Sequence, residues 1–334
     1  MMRRADNSGP RDPSNSSAAS AQVDISLVTP GVNARAQGRD ASRSIPPASN
    51  QDDETVTSER LIGAILSTKV KLTPENIDRI LTYARTRGVR FGDAAVALGL
   101  VTQDQVLQSL ADQFGYLYAS EDRRKLMPEL VGLNQPFSLQ AEAIRDIRSQ
   151  LMLRVFTSER PRPALAVVSP SPGDGKTFFS ANLAVALAQV GGRTLIVDAD
   201  LRGPRQHEVF KVENTTGLSS VLAGHVDFNV IQQVPETANL FIMPVGVTPP
   251  NPLELVERPA FRILLRELTS NFDHVIVDTP AAVYGADAQV IAARCGAALV
   301  VARKNESRVE ALQKLVSALS GSTARMAGVI MNDY

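Results

Sequence analysis

The chain has a single cysteine, Cys295, only three histidines, no net charge and no long apolar run. One cysteine cannot close an intrachain disulfide, which fits a reducing cytosol. His207, His225 and His274 show no metal-ligand spacing and read as structural or surface residues. The 35 basic residues are matched by 35 acidic ones, so there is no electrostatic footprint for nucleic acid. No stretch reaches the roughly 20 apolar residues that a membrane-spanning helix needs. Arg3 and Arg4 are not followed by the apolar core of a signal peptide. Any membrane role is therefore expected to come through a partner.

At 334 residues the chain has room for two domains and a tail. Residues 1–55 are rich in Ser, Asn, Pro, Ala and Arg and poor in large apolar side chains. Such a segment cannot bury enough surface to offset its ordering entropy and is expected to be disordered. Residues 56–120 read as a small all-helical domain with an internal repeat at an offset of 29. Leu61-Ile62-Gly63 aligns with Arg90-Phe91-Gly92, Leu72-Thr73 with Val101-Thr102, and Ile77 and Leu81 with Val106 and Leu110. Thr73 and Thr102 are expected helix N-caps, each followed by a polar first turn. Residues 121–137, with Pro128 and Pro136, read as a linker. The third unit, 138–334, opens with a helix after Ser138. Glu142, Arg145 and Arg148 fall on one stripe of it, opposite Ile144, Ile147 and Leu151.

The centre of that unit is Ser169-Pro170-Ser171-Pro172-Gly173-Asp174-Gly175-Lys176-Thr177. An apolar run, 164–168, precedes it as a buried strand, and an alanine-rich helix follows. Strand, glycine-rich turn and helix make the setting of a phosphate-binding loop. Gly173 and Gly175 free the backbone to aim N–H groups at an anion. Lys176 supplies charge for the β- and γ-phosphates, and the Thr177 hydroxyl suits Mg²⁺. Pro170 stands where the usual motif begins with glycine. Further strands are expected at 194–199, 239–244, 274–279, 297–302 and 326–331, with helices such as 252–268 and 306–319 between them. Their apolar residues run continuously instead of alternating, which predicts a doubly wound, mainly parallel α/β sheet. Asp198 and Asp200 lie at one strand end and Asp278 at another, where such sheets bind ligands. Taken singly, each aspartate also suits a helix cap or turn. Together they exceed what Mg²⁺ needs and offer a base for a hydroxyl.

The phosphate loop, the later Asp198-x-Asp200-x-Arg202 and the strand end Asp278-Thr279-Pro280 resemble the bacterial tyrosine kinases of polysaccharide export, over residues 138–334. Thr216-Gly217-Leu218-Ser219, Asn251-Pro252 and the Glu142, Arg145, Arg148 triplet look like the same family. The resemblance implies ATP and Mg²⁺ as ligands, with Gly173, Asp174, Gly175, Lys176, Thr177, Phe178, Asn251 and Pro252 around the nucleotide. It implies Thr177, Asp200 and Asp278 at the metal, Asp198 as base, Arg202 as a brace, and the triplet as a ring-forming contact of a homo-oligomer. Its implied partner is a membrane polysaccharide co-polymerase, met by a cytoplasmic chain at the inner membrane. Cell-division and partition ATPases of similar pattern carry a second lysine where this chain has Ser171, which favours the kinase reading. The helical repeat resembles the N-terminal domain of type II secretion and type IV pilus ATPases, some of which bind cyclic di-GMP. That implies contacts from Arg90, Gly92 and Gly99, although Leu61 and Val70 replace Arg90 and Gly99 in the first copy.

Five tyrosines are present: Tyr83, Tyr116, Tyr118, Tyr284 and Tyr334. Tyr334 is the expected phosphoacceptor, although it directly follows the last predicted strand. Two functions follow: a tyrosine autokinase that controls polysaccharide chain length, or a regulatory ATPase switch that transfers little phosphate.

Overall fold

The structure, a computed structural model, describes residues 66, 70–114, 125, 127–157, 162–225, 230–235 and 237–333. The N-terminal tail, residues 61–65 and 67–69 at the start of the first repeat, Tyr116, Tyr118 and Tyr334 lie outside the described residues.

The helical region contains α1 (Pro74–Arg87), α2 (Phe91–Ala97) and α3 (Gln103–Phe114). Thr73 caps α1 by accepting from the Asn76 N–H at 3.3 Å, with Pro74 just inside the start. Thr102 and Gln105 cap α3 reciprocally: the Gln105 N–H donates to Thr102 Oγ1 (3.2 Å) and the Thr102 N–H to Gln105 Oε1 (2.9 Å). Both expected caps are present. Leu66, Ile80, Phe91, Ala94, Ala95 and Val101 form the local core.

The segment read as a linker is in part core. Met127, Leu130 and Leu133 are buried in one cluster with Leu183, Val185 and Leu187. α4 (Val131–Asn134) docks there, before α5 (Leu139–Arg154), which Ser138 caps. The buried Asn182 amide donates to Glu129 O at 2.8 Å and accepts from the Gly132 N–H at 3.3 Å. Pro128 and Pro136 suggested a spacer, but the apolar residues between them pack against the helix after the phosphate loop.

The rest of the fold runs β1 (Ala164–Val168), α6 (Lys176–Ala188), β2 (Thr194–Asp198), α7 (Gln206–Phe210), α8 (Leu218–Ala223), β3 (Gln232–Gln233), β4 (Leu240–Met243), α9 (Pro252–Glu257), α10 (Pro259–Asn271), β5 (His274–Asp278), α11 (Asp287–Cys295), β6 (Gly296–Arg303), α12 (Val309–Ser320) and β7 (Arg325–Asn332). Among the described residues the seven strands are ordered β3-β4-β2-β5-β1-β6-β7. All pairings are parallel except β3 with β4. Every residue of β1, β2 and β5 is buried, because apolar clusters cover both faces of the sheet. The short β3 was not expected, since two glutamines carry no apolar signal. The single helix expected at 252–268 is two helices: Arg258 is extended (φ −58°, ψ 147°) ahead of Pro259.

Candidate active site

The phosphate loop, β2 and β5 converge on a cleft of about 1130 Å³ at the carboxyl ends of the strands. Gly173, Gly175, Lys176, Thr177, Phe178, Asp200 and Arg202 line it. Gly173 (φ +81°) and Gly175 (φ +97°) adopt the left-handed backbone that glycine permits. A Cβ on Gly175 would stand 2.3 Å from Asn332 Nδ2, so any other residue there would have to displace that side chain. Asn332 in turn donates to Asp174 O at 3.1 Å and ties the end of β7 to the loop. Asp174 faces inward: its carboxylate accepts from the Ser171 N–H and from Ser307 Oγ, both at 2.7 Å. Its side chain shapes the loop, so only its backbone is left to face a nucleotide. Lys176 begins α6, whose N-terminal N–H groups and dipole favour an anion.

The aspartates divide into two layers. Asp200 reaches the cleft, with Oδ2 3.6 Å from Lys176 Nζ, while Oδ1 accepts from the N–H groups of Arg202 (3.2 Å) and Gly203 (2.9 Å). Asp198 and Asp278 lie behind, side by side in register on β2 and β5 and almost wholly buried. Asp198 Oδ1 accepts from the Asp200 N–H at 3.1 Å, and Oδ2 accepts from those of Arg205 (3.0 Å) and Gln206 (2.9 Å). It is therefore a cap for α7 and for the turn before it. Burial, and then the neighbouring charge of Asp278, push its carboxyl well above the ordinary range. Burial likewise raises Asp278 to about 6, against the pull of Lys176.

Gln206 was missed at the sequence level. Its side-chain amide donates to Asp278 Oδ2 (2.8 Å), Ser180 Oγ (2.8 Å) and Thr177 O (3.1 Å), while its backbone N–H holds Asp198. Asp278 Oδ1 and Gln206 Oε1 are buried without a hydrogen-bond partner. An orphaned carboxylate oxygen beside Thr177 suits a hard cation bound at the loop, so these residues fit Mg²⁺. Asp287 was also missed. It pairs with Arg202 at 3.1 Å and gives the expected brace a fixed position. Asn332, a polar residue at a strand end like Asp198 and Asp278, could have been found by the rule that located them.

Other expected residues stand apart. Asn251 and Pro252 form the start of α9 and are not among the residues lining the cleft. Arg145 pairs with Glu142 on its own helix and donates to Pro136 O at 2.7 Å, while Arg148 donates to Ala186 O at 3.1 Å. Arg90 precedes α2 and is exposed. Gly92 packs against Val106, where a Cβ would sit 2.7 Å from Cγ1, and Gly99 supplies a left-handed turn (φ +67°). These two glycines have structural reasons that need no ligand.

The family described as the CobQ/CobB/MinD/ParA nucleotide binding domain matches residues 165–334. Tyrosine-protein kinase YwqD of Bacillus subtilis is 33% identical over 208 residues, 62% of this chain and 87% of that protein. Tyrosine-protein kinase wzc of Salmonella typhimurium is 32% identical over 210 residues, which span 63% of this chain but 29% of its own length. The kinase domain of Escherichia coli tyrosine kinase ETK matches with a TM-score of 0.58 and 31% identity, covering 66% of this chain and 91% of that one.

Proposed function

This chain belongs to the bacterial tyrosine-protein kinases, built on the CobQ/CobB/MinD/ParA nucleotide-binding domain, and on that premise we propose that it transfers the γ-phosphoryl group of ATP to tyrosine hydroxyls. The observation that carries this reading is one cleft holding a phosphate loop, its lysine and an ionisable carboxylate 3.6 Å from that lysine. The N–H groups at the start of α6 and Lys176 bind the phosphates. Thr177 and Asp278 would hold Mg²⁺, which neutralises charge on the phosphate oxygens. Arg202, fixed by Asp287, faces the same cleft and offsets negative charge there.

Asp198 was the expected base. In this geometry both its oxygens are spent on three backbone N–H groups, whereas Asp278 beside it keeps one oxygen without a partner and Asp200 lines the cleft. We therefore give the phenolic proton to Asp200, and Asp198 the task of holding the Asp200 loop in place. Asp200→Asn is expected to lower tyrosine phosphorylation by roughly 10²–10⁴-fold with ATP binding retained. Asp198→Asn, whose one amide oxygen can still accept from the Arg205 and Gln206 N–H groups, is expected to cost less. The reverse order, read from initial rates on a tyrosine peptide, returns the base to Asp198.

Among the described residues no helix is long and apolar enough to cross a membrane. The polysaccharide-export resemblance supports action at the inner membrane through a membrane co-polymerase, as a ring joined by Glu142, Arg145 and Arg148. Support for polysaccharide synthesis also comes from a relative, 34% identical, named as a putative tyrosine-protein kinase in the cps region of Klebsiella pneumoniae. A cyclic di-GMP contact at Arg90 rests on the resemblance of the helical repeat alone.

A further inference from the structure

One tyrosine stands in the cleft itself. Tyr284 closes a short 3₁₀ turn, Ala282–Tyr284, that follows β5 and Asp278. The turn is fastened to the beginning of the phosphate loop: the Ala282 N–H donates to Ser169 O at 2.9 Å and the Val283 N–H to Pro170 O at 3.1 Å. The backbone that carries Tyr284 is thus fixed to the loop that carries Lys176. Tyr284 is 53% exposed and lines the cleft with Lys176, Thr177, Asp200 and Arg202. The next residue, Gly285, lies against the Arg202–Asp287 pair, where a Cβ would come within 3.0 Å of Asp287 Oδ2 and 3.9 Å of Arg202 Nη2. The backbone next to Tyr284 thus lies against the Arg202–Asp287 pair, and the tyrosine lines the same cleft as Lys176 and Arg202.

We propose that Tyr284 is a phosphoacceptor of the cleft it lines, modified in cis by its own chain. The inference rests on the kinase reading above. The Tyr284 Oη–H proton passes to Asp200 and a bond forms between Oη and the γ-phosphorus. The bond from that phosphorus to the bridging oxygen breaks, and its electron pair leaves on ADP. The product is a dianionic phosphate in a cleft whose lining includes Lys176, Arg202, Arg205 and Arg303. Tethering an acceptor to the loop that holds the donor replaces a bimolecular encounter by an intramolecular one.

The test incubates the full chain with Mg-ATP and a free tyrosine-containing peptide, then maps phosphotyrosine by mass spectrometry. An isotopically labelled Lys176→Met chain is included in the same tube. Phosphate is expected at Tyr284 of the unlabelled chain, at a rate per chain that does not change on dilution. It should exceed that at Tyr83, which lies on α1, by roughly a hundredfold, as tethering allows. Phosphate at Tyr284 of the labelled chain overturns the cis step. A phosphorylated peptide with unmodified Tyr284 overturns the inference and leaves the kinase reading standing. Absence of phosphotyrosine on both chain and peptide overturns the two together.

Discussion

The helical region and the nucleotide-binding domain both drew attention through glycines and charged residues, yet the structure treats them differently. In the helical region each singled-out glycine meets a packing or turn requirement: Gly92 faces Val106 and Gly99 turns the chain. In the nucleotide-binding domain the requirements are not met from within. Asp278 Oδ1 and Gln206 Oε1 are buried without partners, and the Lys176–Asp200 pair lines a cleft with three arginines. Gln113 Oε1 on α3 is orphaned as well, so what sets the nucleotide-binding domain apart is that its orphaned oxygens gather behind the lysine and carboxylate of a cleft.

Gln206→Leu should sharpen this contrast most. It removes the donor to Asp278 and leaves that carboxylate buried without it, so Asp278 holds its proton to higher pH. By analogy with residues that support metal ligands, the apparent Mg²⁺ affinity for ATP turnover is expected to fall about 10–100-fold. The acid limb of the pH–rate profile should move upward. Because the backbone N–H of residue 206 still caps Asp198, thermal unfolding should change little by comparison. An unchanged Mg²⁺ titration would mean that the orphaned oxygen is not the metal's.

A pair of glycine substitutions comes next. Gly175→Ala meets both a positive φ and Asn332, so it should weaken ATP binding by calorimetry as well as destabilise the domain by more than about 1 kcal/mol. Gly92→Ala forces Val106 to move and should cost about 1–3 kcal/mol in the helical region, with ATP binding unchanged. Loss of ATP binding in Gly92→Ala would break the distinction between the two regions.

The smallest effect is on pH dependence. His274 is buried against Phe156 and held to about 4 by desolvation, so the unfolded chain binds its proton more readily. Its contribution to stability is present above about 6.5 and is lost as pH falls toward 4. Asp278, raised to about 6, has the opposite sign: the folded chain binds its proton more readily, and that contribution is lost as pH rises toward 6. Over pH 4–6 Asp278, together with the raised Asp198 beside it, opposes His274 in the nucleotide-free chain. Asp278→Asn removes one of them, and the urea midpoint should then rise more steeply with pH. An unaltered slope would contradict the raised carboxyl.

Much of this was legible in the sequence because the signals are local. A glycine turn between an apolar run and an alanine-rich helix fixes the phosphate loop, and apolar runs ending in aspartate locate β2 and β5. Thr73 and Thr102 announced their helices in the same way. What was not legible depends on contacts far apart in the chain. Met127–Leu133 is core only because α6 faces it. Gln206 matters because it touches Asp278, 72 positions away. The division of Asp198 and Asp200 into a buried cap and a cleft carboxylate needed the backbone N–H groups of Arg205 and Gln206, which composition does not display.

The central claim is tested most directly by the phosphotyrosine formed per ATP consumed, with Mg-ATP, a tyrosine peptide and Lys176→Met as control. The account predicts that phosphotyrosine accounts for a substantial share of the ATP used and is lost in Lys176→Met. Steady ATP consumption by the unaltered chain with no phosphotyrosine on chain or peptide would contradict it and leave a nucleotide-driven switch.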